Sequence, residues 1–319
     1  MSNKPAGLSH DALWPRAGGW PAPDEIAPGK RIDAALVGIP ASQTSLSATN
    51  AHETPDAIRA ALYRYSPALM QDRGVLDKNL RNDPAIIDLE ELTVADFGNV
   101  SDPDSPAGEA RTIALMADAA KASELVIALG GDNSITVAAA LGVWGSDLET
   151  AGLITLDAHY DLRDGVSNGS PVRRLIEAGM NPERIVQIGI QDFANSASYA
   201  RRAQEFGITV IHRDDLERRS MAEVMAEALS IAGSAGGPIH VDLDVDVCDR
   251  AVAPACPASV PGGISAYELR QAARAAGKHS QVHSIDLAEI DATMDAPDDR
   301  TIRLAALCVL EAVAGLSQR

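Results

Sequence analysis

The stretch Gly152-Leu153-Ile154-Thr155-Leu156-Asp157-Ala158-His159-Tyr160-Asp161 joins a run suited to a buried strand directly to three polar side chains spaced two apart. Runs of this kind, without polar alternation, mark strands covered on both faces, as in parallel sheets flanked by helices. Seven more short runs rich in Val and Ile continue the rhythm, at 34–40, 85–89, 125–130, 184–190, 208–212, 238–244 and 282–286. Alanine-rich stretches of helical character lie between them, among them 55–65, 107–122, 221–232 and 266–277. The alternation predicts an α/β chain: a three-layer αβα sandwich around an eight-stranded, mostly parallel sheet. No linker interrupts the rhythm, so residues 31–319 read as one domain. Residues 1–30 carry Trp14 and Trp20 among prolines and glycines with no regular period, and read as an irregular arm packed on the body or on a neighbouring subunit.

Composition narrows the function. With 27 Lys and Arg against 45 Asp and Glu, the chain carries a formal charge of −18. No cationic footprint is available to neutralise phosphates, so nucleic acid is not an expected partner. No run of eighteen apolar residues spans a membrane. The N-terminus lacks the apolar stretch and small-residue cleavage site of a secretory signal, and three cysteines form no disulfide framework or metal finger. A cytoplasmic enzyme acting on a small-molecule substrate is the expectation.

Open parallel sheets place chemistry at the carboxyl ends of their strands, and four loops deliver acids there. These are Gly130-Gly131-Asp132-Asn133, Asp157-Ala158-His159-Tyr160-Asp161, Asp242-Leu243-Asp244-Val245-Asp246 and Asp286-Leu287-Ala288-Glu289. A single such acid is commonly solvated or caps a helix, and a lone His159 would read as a core histidine. Together, Asp157, His159 and Asp161 leave one strand end, while Asp242, Asp244 and Asp246 share one face through the strand period of two. Such groups repel one another unless a cation sits among them. Oxygen donors dominate, which suits a hard metal such as Mn²⁺ better than Zn²⁺.

At these residues the chain resembles the ureohydrolase (arginase/agmatinase) family. The resemblance runs from Val37-Gly38-Ile39-Pro40 and Pro55-Asp56-Ala57-Ile58-Arg59, through Asp96-Phe97-Gly98-Asn99-Val100, to Ala288-Glu289-Ile290. It implies an arginase-like fold and two Mn²⁺ ions sharing a hydroxide that attacks a guanidinium or amidine carbon. By position, Asp157 and Asp244 bridge the metals, Asp161 binds one, His159 and Asp246 bind the other, and Asp242 stands outside the pair. Glu289 corresponds to the acid that holds the cationic C–N group. The family's Gly-Gly-Asp-His appears as Gly130-Gly131-Asp132-Asn133. Asn133 therefore either ligates weakly through its carboxamide oxygen or makes no metal contact, and one or two Mn²⁺ per subunit remain open.

The loop from Arg163 to Arg173 is most similar to that of the formimidoylglutamases. Asn168 stands where arginases and agmatinases place a histidine before the unit containing Gly169, Ser170 and Pro171. Their substrate, N-formimidoyl-L-glutamate, carries two carboxylates. In so acidic a chain, Arg163, Arg173 and Arg174 cluster beside the metal motif, and guanidinium pairs well with carboxylate. The resemblance thus implies hydrolysis of this amidine to L-glutamate and formamide, a step in histidine degradation, with Arg163, Asn168, Gly169, Ser170, Arg173 and Glu289 at the substrate. The alternatives are a guanidino hydrolase releasing urea and a non-catalytic member with an impaired metal site. The family also implies a homo-oligomer. His240 reads as a hydrogen-bonded core residue, and no cysteine has a neighbouring base to make it a nucleophile.

Overall fold

The computed structural model describes residues 8–70 and 86–319. Its main sheet contains β1 (Ala34–Ile39), β4 (Val94–Asn99), β5 (Leu125–Gly130), β6 (Gly152–Leu156), β7 (Ile185–Ile190), β8 (Thr209–His212), β9 (Ile239–Asp244) and β10 (Val282–Ala288). They lie in the order β4-β1-β5-β10-β9-β6-β7-β8, and every neighbouring pair is parallel. Two short strands, β2 (Ala68–Met70) and β3 (Ile86–Asp88), pair antiparallel in a separate small sheet.

One expected strand is therefore reassigned. The run at 85–89, whose first residue lies outside the described residues, supplies β3 and not a strand of the main sheet. The eighth place belongs to β4 at the edge. Its inner half, Val94 and Ala95, is buried, while Asp96 to Asn99 are progressively open to solvent. An edge strand needs no continuous apolar run. Here Asp96 faces Arg59, with Arg59 Nε 2.7 Å from Oδ2 and Nη2 2.8 Å from Oδ1.

Side-chain alternation sorts the layers. Ile239, Val241 and Leu243 of β9 join Ile285 and Leu287 of β10 in one core. That core also holds α1 (Thr54–Leu62), α6 (Met221–Ala232), α7 (Ala266–Lys278) and α8 (Arg300–Leu316). The opposite face carries α2 (Pro106–Ala122), α3 (Ile135–Trp144), α4 (Pro171–Ala178) and α5 (Ala197–Phe206). Several helices start where sequence chemistry places them. Ser220 with Glu223, and Ser265 with Glu268, form reciprocal capping boxes, while Pro106 and Pro171 occupy first-turn positions that need no amide donor. Residues 8–33 are irregular apart from a short turn at Pro23–Glu25, and they dock on the body through Ala17 N to Tyr65 O at 2.8 Å and Asp96 N to Pro21 O at 2.9 Å.

Candidate metal centre

The carboxyl ends of the four central strands, β5, β10, β9 and β6, are adjacent in space though they come from residues 130 to 288 of the chain. Beyond β6, Asp157 is buried, its Oδ1 accepting the backbone N–H of His159 at 2.6 Å. His159 Nδ1 lies 3.3 Å from Asp157 Oδ1 and 3.0 Å from Asp246 Oδ2. Asp246 is tied back to the same loop, since its Oδ1 accepts Ala158 N at 3.2 Å. Asp244 ends β9 and accepts Asp246 N at 2.9 Å. Asp161 and Glu289 both adopt left-handed backbone, with φ of 52° and 63°. Non-glycine residues rarely do so, and such conformations gather at functional sites.

Glu289 draws two further motifs together. Its Oε2 accepts the Asn133 backbone N–H at 2.9 Å and its Oε1 accepts Asn168 Nδ2 at 2.8 Å. Asn168 Oδ1 in turn accepts Leu46 N at 3.0 Å. Asn133 donates from Nδ2 to Asp161 Oδ2 at 2.7 Å, while its Oδ1 accepts from Thr136 Oγ1 at 3.0 Å. Its carboxamide oxygen is thus committed to helix α3, and the side chain acts on Asp161 instead of offering that oxygen to the centre.

Burial of so many acids shifts their protonation. Desolvation, reinforced by Asp246, raises Asp157 to about 7. Desolvation also raises Glu289 to about 8, with Asp132 and Asp246 adding to it against the Asn168 hydrogen bond. Asp161, Asp242 and Asp244 rise well above the carboxylate range, chiefly through burial. For His159, burial favours the neutral ring, but Asp246 and Asp157 outweigh it and push the imidazole up to about 12. Asp246 is buried too, yet the charge and hydrogen bond of His159 hold it below its usual value.

These residues fit a metal. Ligand atoms of Asp157, His159 and Asp246 lie within 4.8 Å of one another, and Asp157 Oδ2 is buried without a hydrogen-bond partner among the described residues. The donors are carboxylate oxygens plus one imidazole, a set suited to Mn²⁺. Asp161 and Asp244 border the same cleft of about 250 Å³. Asp242 stands one register step below, in contact with Asp286. There His240, fully buried, reaches Ser284 Oγ at 2.7 Å and Asp286 Oδ2 at 3.0 Å, as a core histidine does. All three cysteines are buried with thiols raised by desolvation, which leaves them poor nucleophiles.

Of the expected substrate contacts, Arg163, Asn168, Gly169 and Glu289 line the cleft. A Cβ on Gly169 would come within 2.7 Å of Arg163 Cδ, so glycine leaves the arginine stem its path. Ser170 and Arg173 are corrected. Ser170 is fully buried and closes a turn, its Oγ donating to Ser167 O at 2.8 Å and accepting Ser167 N at 2.9 Å. Arg173 donates to the carbonyls of Arg163 and Gly165 and pairs with Glu177, so its guanidinium is spent on the loop's own backbone. Arg174 likewise turns away, to both oxygens of Glu109 at 2.8 Å.

Two contributors carry no sequence signal. Asn195 accepts Tyr160 N at 3.1 Å and donates to Ala158 O at 2.8 Å, and Gln187 Nε2 donates to Tyr160 O at 2.9 Å. Two carboxamides thus grip the backbone that presents His159 and Asp161. Nothing in a lone Asn or Gln distinguishes that task before the loops are brought together.

A parallel αβα sandwich with an acid- and histidine-lined rim at its central strand ends is here the frame of an α/β hydrolase acting on C–N bonds. The chain belongs to the arginase family, whose model matches residues 32–315. The formimidoylglutamase of Halalkalibacterium halodurans is 34% identical over 297 residues, covering 90% of this chain and 88% of that one. The crystal structure of formimidoylglutamase from Bacillus subtilis subsp. subtilis str. 168 superposes with a TM-score of 0.83 at 26% identity, covering 98% of this chain and 95% of that one. The Trypanosoma cruzi formiminoglutamase solved with Mn²⁺ superposes at 0.77 with 22% identity, covering 90% and 94%, a likeness of fold.

Proposed function

We propose that this chain hydrolyses the linear amidine N-formimidoyl-L-glutamate to L-glutamate and formamide, using Mn²⁺ held by Asp157, His159, Asp161, Asp244 and Asp246. The observation that carries the substrate assignment is Arg163. It is the one Lys or Arg lining the cleft among the described residues, and no acid among them pairs with it. A free guanidinium beside a cluster of acids is suited to a substrate that is cationic at one end and anionic at the other. Names of relatives point the same way, since both the H. halodurans and the B. subtilis proteins are formimidoylglutamases.

Bound Mn²⁺ would lower the pKa of water so that hydroxide is present near neutral pH. The chain's own groups do the rest. Glu289, fixed by Asn133 N and Asn168 Nδ2, aims a carboxylate at the amidinium and holds the group over the metal ligands. Its raised proton affinity weakens that grip until the amidinium enters, when the opposite charge favours the ionised form. Asn133 orients Asp161, and Arg163 takes a substrate carboxylate at the mouth. The same reading places the enzyme in the cytoplasm, in keeping with three unpaired buried cysteines. It also makes the enzyme a homo-oligomer, for which the exposed Leu13 and Trp14 of the arm offer contact surface.

Product analysis tests the reading. Over a panel of N-formimidoyl-L-glutamate, agmatine, guanidinobutyrate and arginine, formamide release from the first and no urea from the rest is expected. Urea as the main product overturns it. Arg163→Ala should raise KM for the dicarboxylate by roughly 10- to 150-fold, the cost of a lost charged hydrogen bond. Hydrolysis of formamidine, which has no carboxylate, should be unchanged by the loss of a carboxylate partner.

A further inference from the structure

Arg163 is followed directly by Asp164, in a chain where acids outnumber bases 45 to 27. That no acid among the described residues pairs with it therefore has a cause. Helix α5 supplies two groups to this loop, three residues apart and so on one helical face. Arg202 Nη1 donates to Asp164 Oδ1 at 2.8 Å and to the Leu162 carbonyl at 2.7 Å. Tyr199 offers its ring to both guanidinium groups, with the carbon of Arg163 6.0 Å and that of Arg202 5.7 Å from the ring centroid. Both distances fall within cation–π range. Asp164 thus neutralises the arginine on the helix, and the positive charge left over belongs to Arg163.

We propose that Arg202 and Tyr199 are positioning residues for substrate recognition: Arg202 draws Asp164 away from Arg163, and Tyr199 holds the freed guanidinium across the cleft mouth, ready for a carboxylate. This rests on the reading that Arg163 binds a carboxylate of the substrate. Three features support it. Arg202 is fixed by a second acceptor, Leu162 O, so its guanidinium has one defined place. The Asp164 side chain is 81% exposed, so the ion pair adds little to fold stability. Arg173 and Arg174, the other cations of the loop region, have partners of their own and do not compete for Asp164 by direct contact.

Steady-state kinetics on the full Mn²⁺-loaded chain tests the proposal, with N-formimidoyl-L-glutamate and formamidine as substrates. In Arg202→Gln, Asp164 is released to pair with Arg163, and KM for the dicarboxylate should rise roughly 2- to 5-fold, the range of an exposed ion pair. The kcat should hold, formamidine turnover should hold, and thermal unfolding should move little. Adding Asp164→Asn removes the competing acid, so the double variant should return KM to the starting value, and Arg202→Lys should stay close to it. A purely architectural Arg202 would not be rescued in this way. An unchanged KM in Arg202→Gln, or a double variant as impaired as the single one, overturns the proposal. Arg163→Ala separates the two levels: an unchanged KM there fells the carboxylate reading as well, whereas a large rise beside an inert Arg202→Gln fells only the role of α5.

Discussion

Asp157 and Asp244 each hold a position that no neutral side chain fills equally well. Asp157 has a buried oxygen with no hydrogen-bond partner among the described residues, and Asp244 ends β9 beside Asp246. Asp157→Asn or Asp244→Asn keeps size and backbone hydrogen bonds while removing charge, so the fold should persist. Metal affinity should collapse, and turnover should fall about 100-fold or more. Turnover close to wild type in either variant would refute the ligand assignment. Asn133 is a different case, because its amide orients Asp161. Asn133→His adds an imidazole donor for Mn²⁺ where the carboxamide oxygen is turned to α3, and metal titration should record a gain of roughly tenfold or more in affinity. An unaltered affinity would mean that this position does not limit the site.

The elements were legible where burial on both faces forces an unbroken apolar run, as in β1 and β5, and where an alanine-rich stretch marks a helix, as in α6 and α7. They were not legible at β4, where Asp96 and Asn99 answer to Arg59 instead of to a core. Helix α3 was equally hidden, because nearly every side chain in it is buried and no polar face gives it a period. Ligand candidates followed from strand-end position, and Asp157, His159 and Asp246 do meet. Substrate contacts divided instead. Arg173 and Arg163 look alike in sequence, and only the folded loop decides which guanidinium serves backbone carbonyls and which faces the cleft. The β7–α5 connection is where an element acts on the centre at one remove. Asn195→Ala leaves the buried Tyr160 N without a hydrogen-bond partner among the described residues, at a cost of about 1–3 kcal/mol, and leaves Ala158 O to Gln191 N alone. The loop bearing His159 and Asp161 should loosen, with metal affinity falling roughly tenfold. Asn195→Asp should recover part of it, since a carboxylate still accepts Tyr160 N but cannot donate to Ala158 O. Equal metal affinity in wild type and Asn195→Ala would leave Gln187 and the strand ladder as sufficient support.

At the scale of the whole molecule, the centre ties together segments that are far apart in sequence, so its charge state bears on global stability. In the chelated protein Asp157 holds its proton up to about 7 and Glu289 to about 8, above the 3.8 and 4.5 expected of them in the unfolded chain. Between those limits the folded state binds more protons than the unfolded state, so stability falls as pH rises through them. His159, raised from 6.5 to about 12, has the same sign and extends the fall above neutrality. Asp246, held below 3.8, works in the opposite direction but only in acid. Each proton in excess is worth about 1.4 kcal/mol per pH unit. Mn²⁺ replaces these protons, so it binds more tightly as pH rises and should stabilise most where the chelated protein is weakest. At a hundred times its dissociation constant the metal contributes about 2.7 kcal/mol. Thermal unfolding from pH 5.5 to 8.5 should therefore give a midpoint that declines with pH in chelator, and a gain from Mn²⁺ that is larger at pH 8 than at pH 6. A chelated midpoint that climbs with pH, or a Mn²⁺ gain independent of pH, would mean that the clustered acids are not the groups the metal displaces protons from.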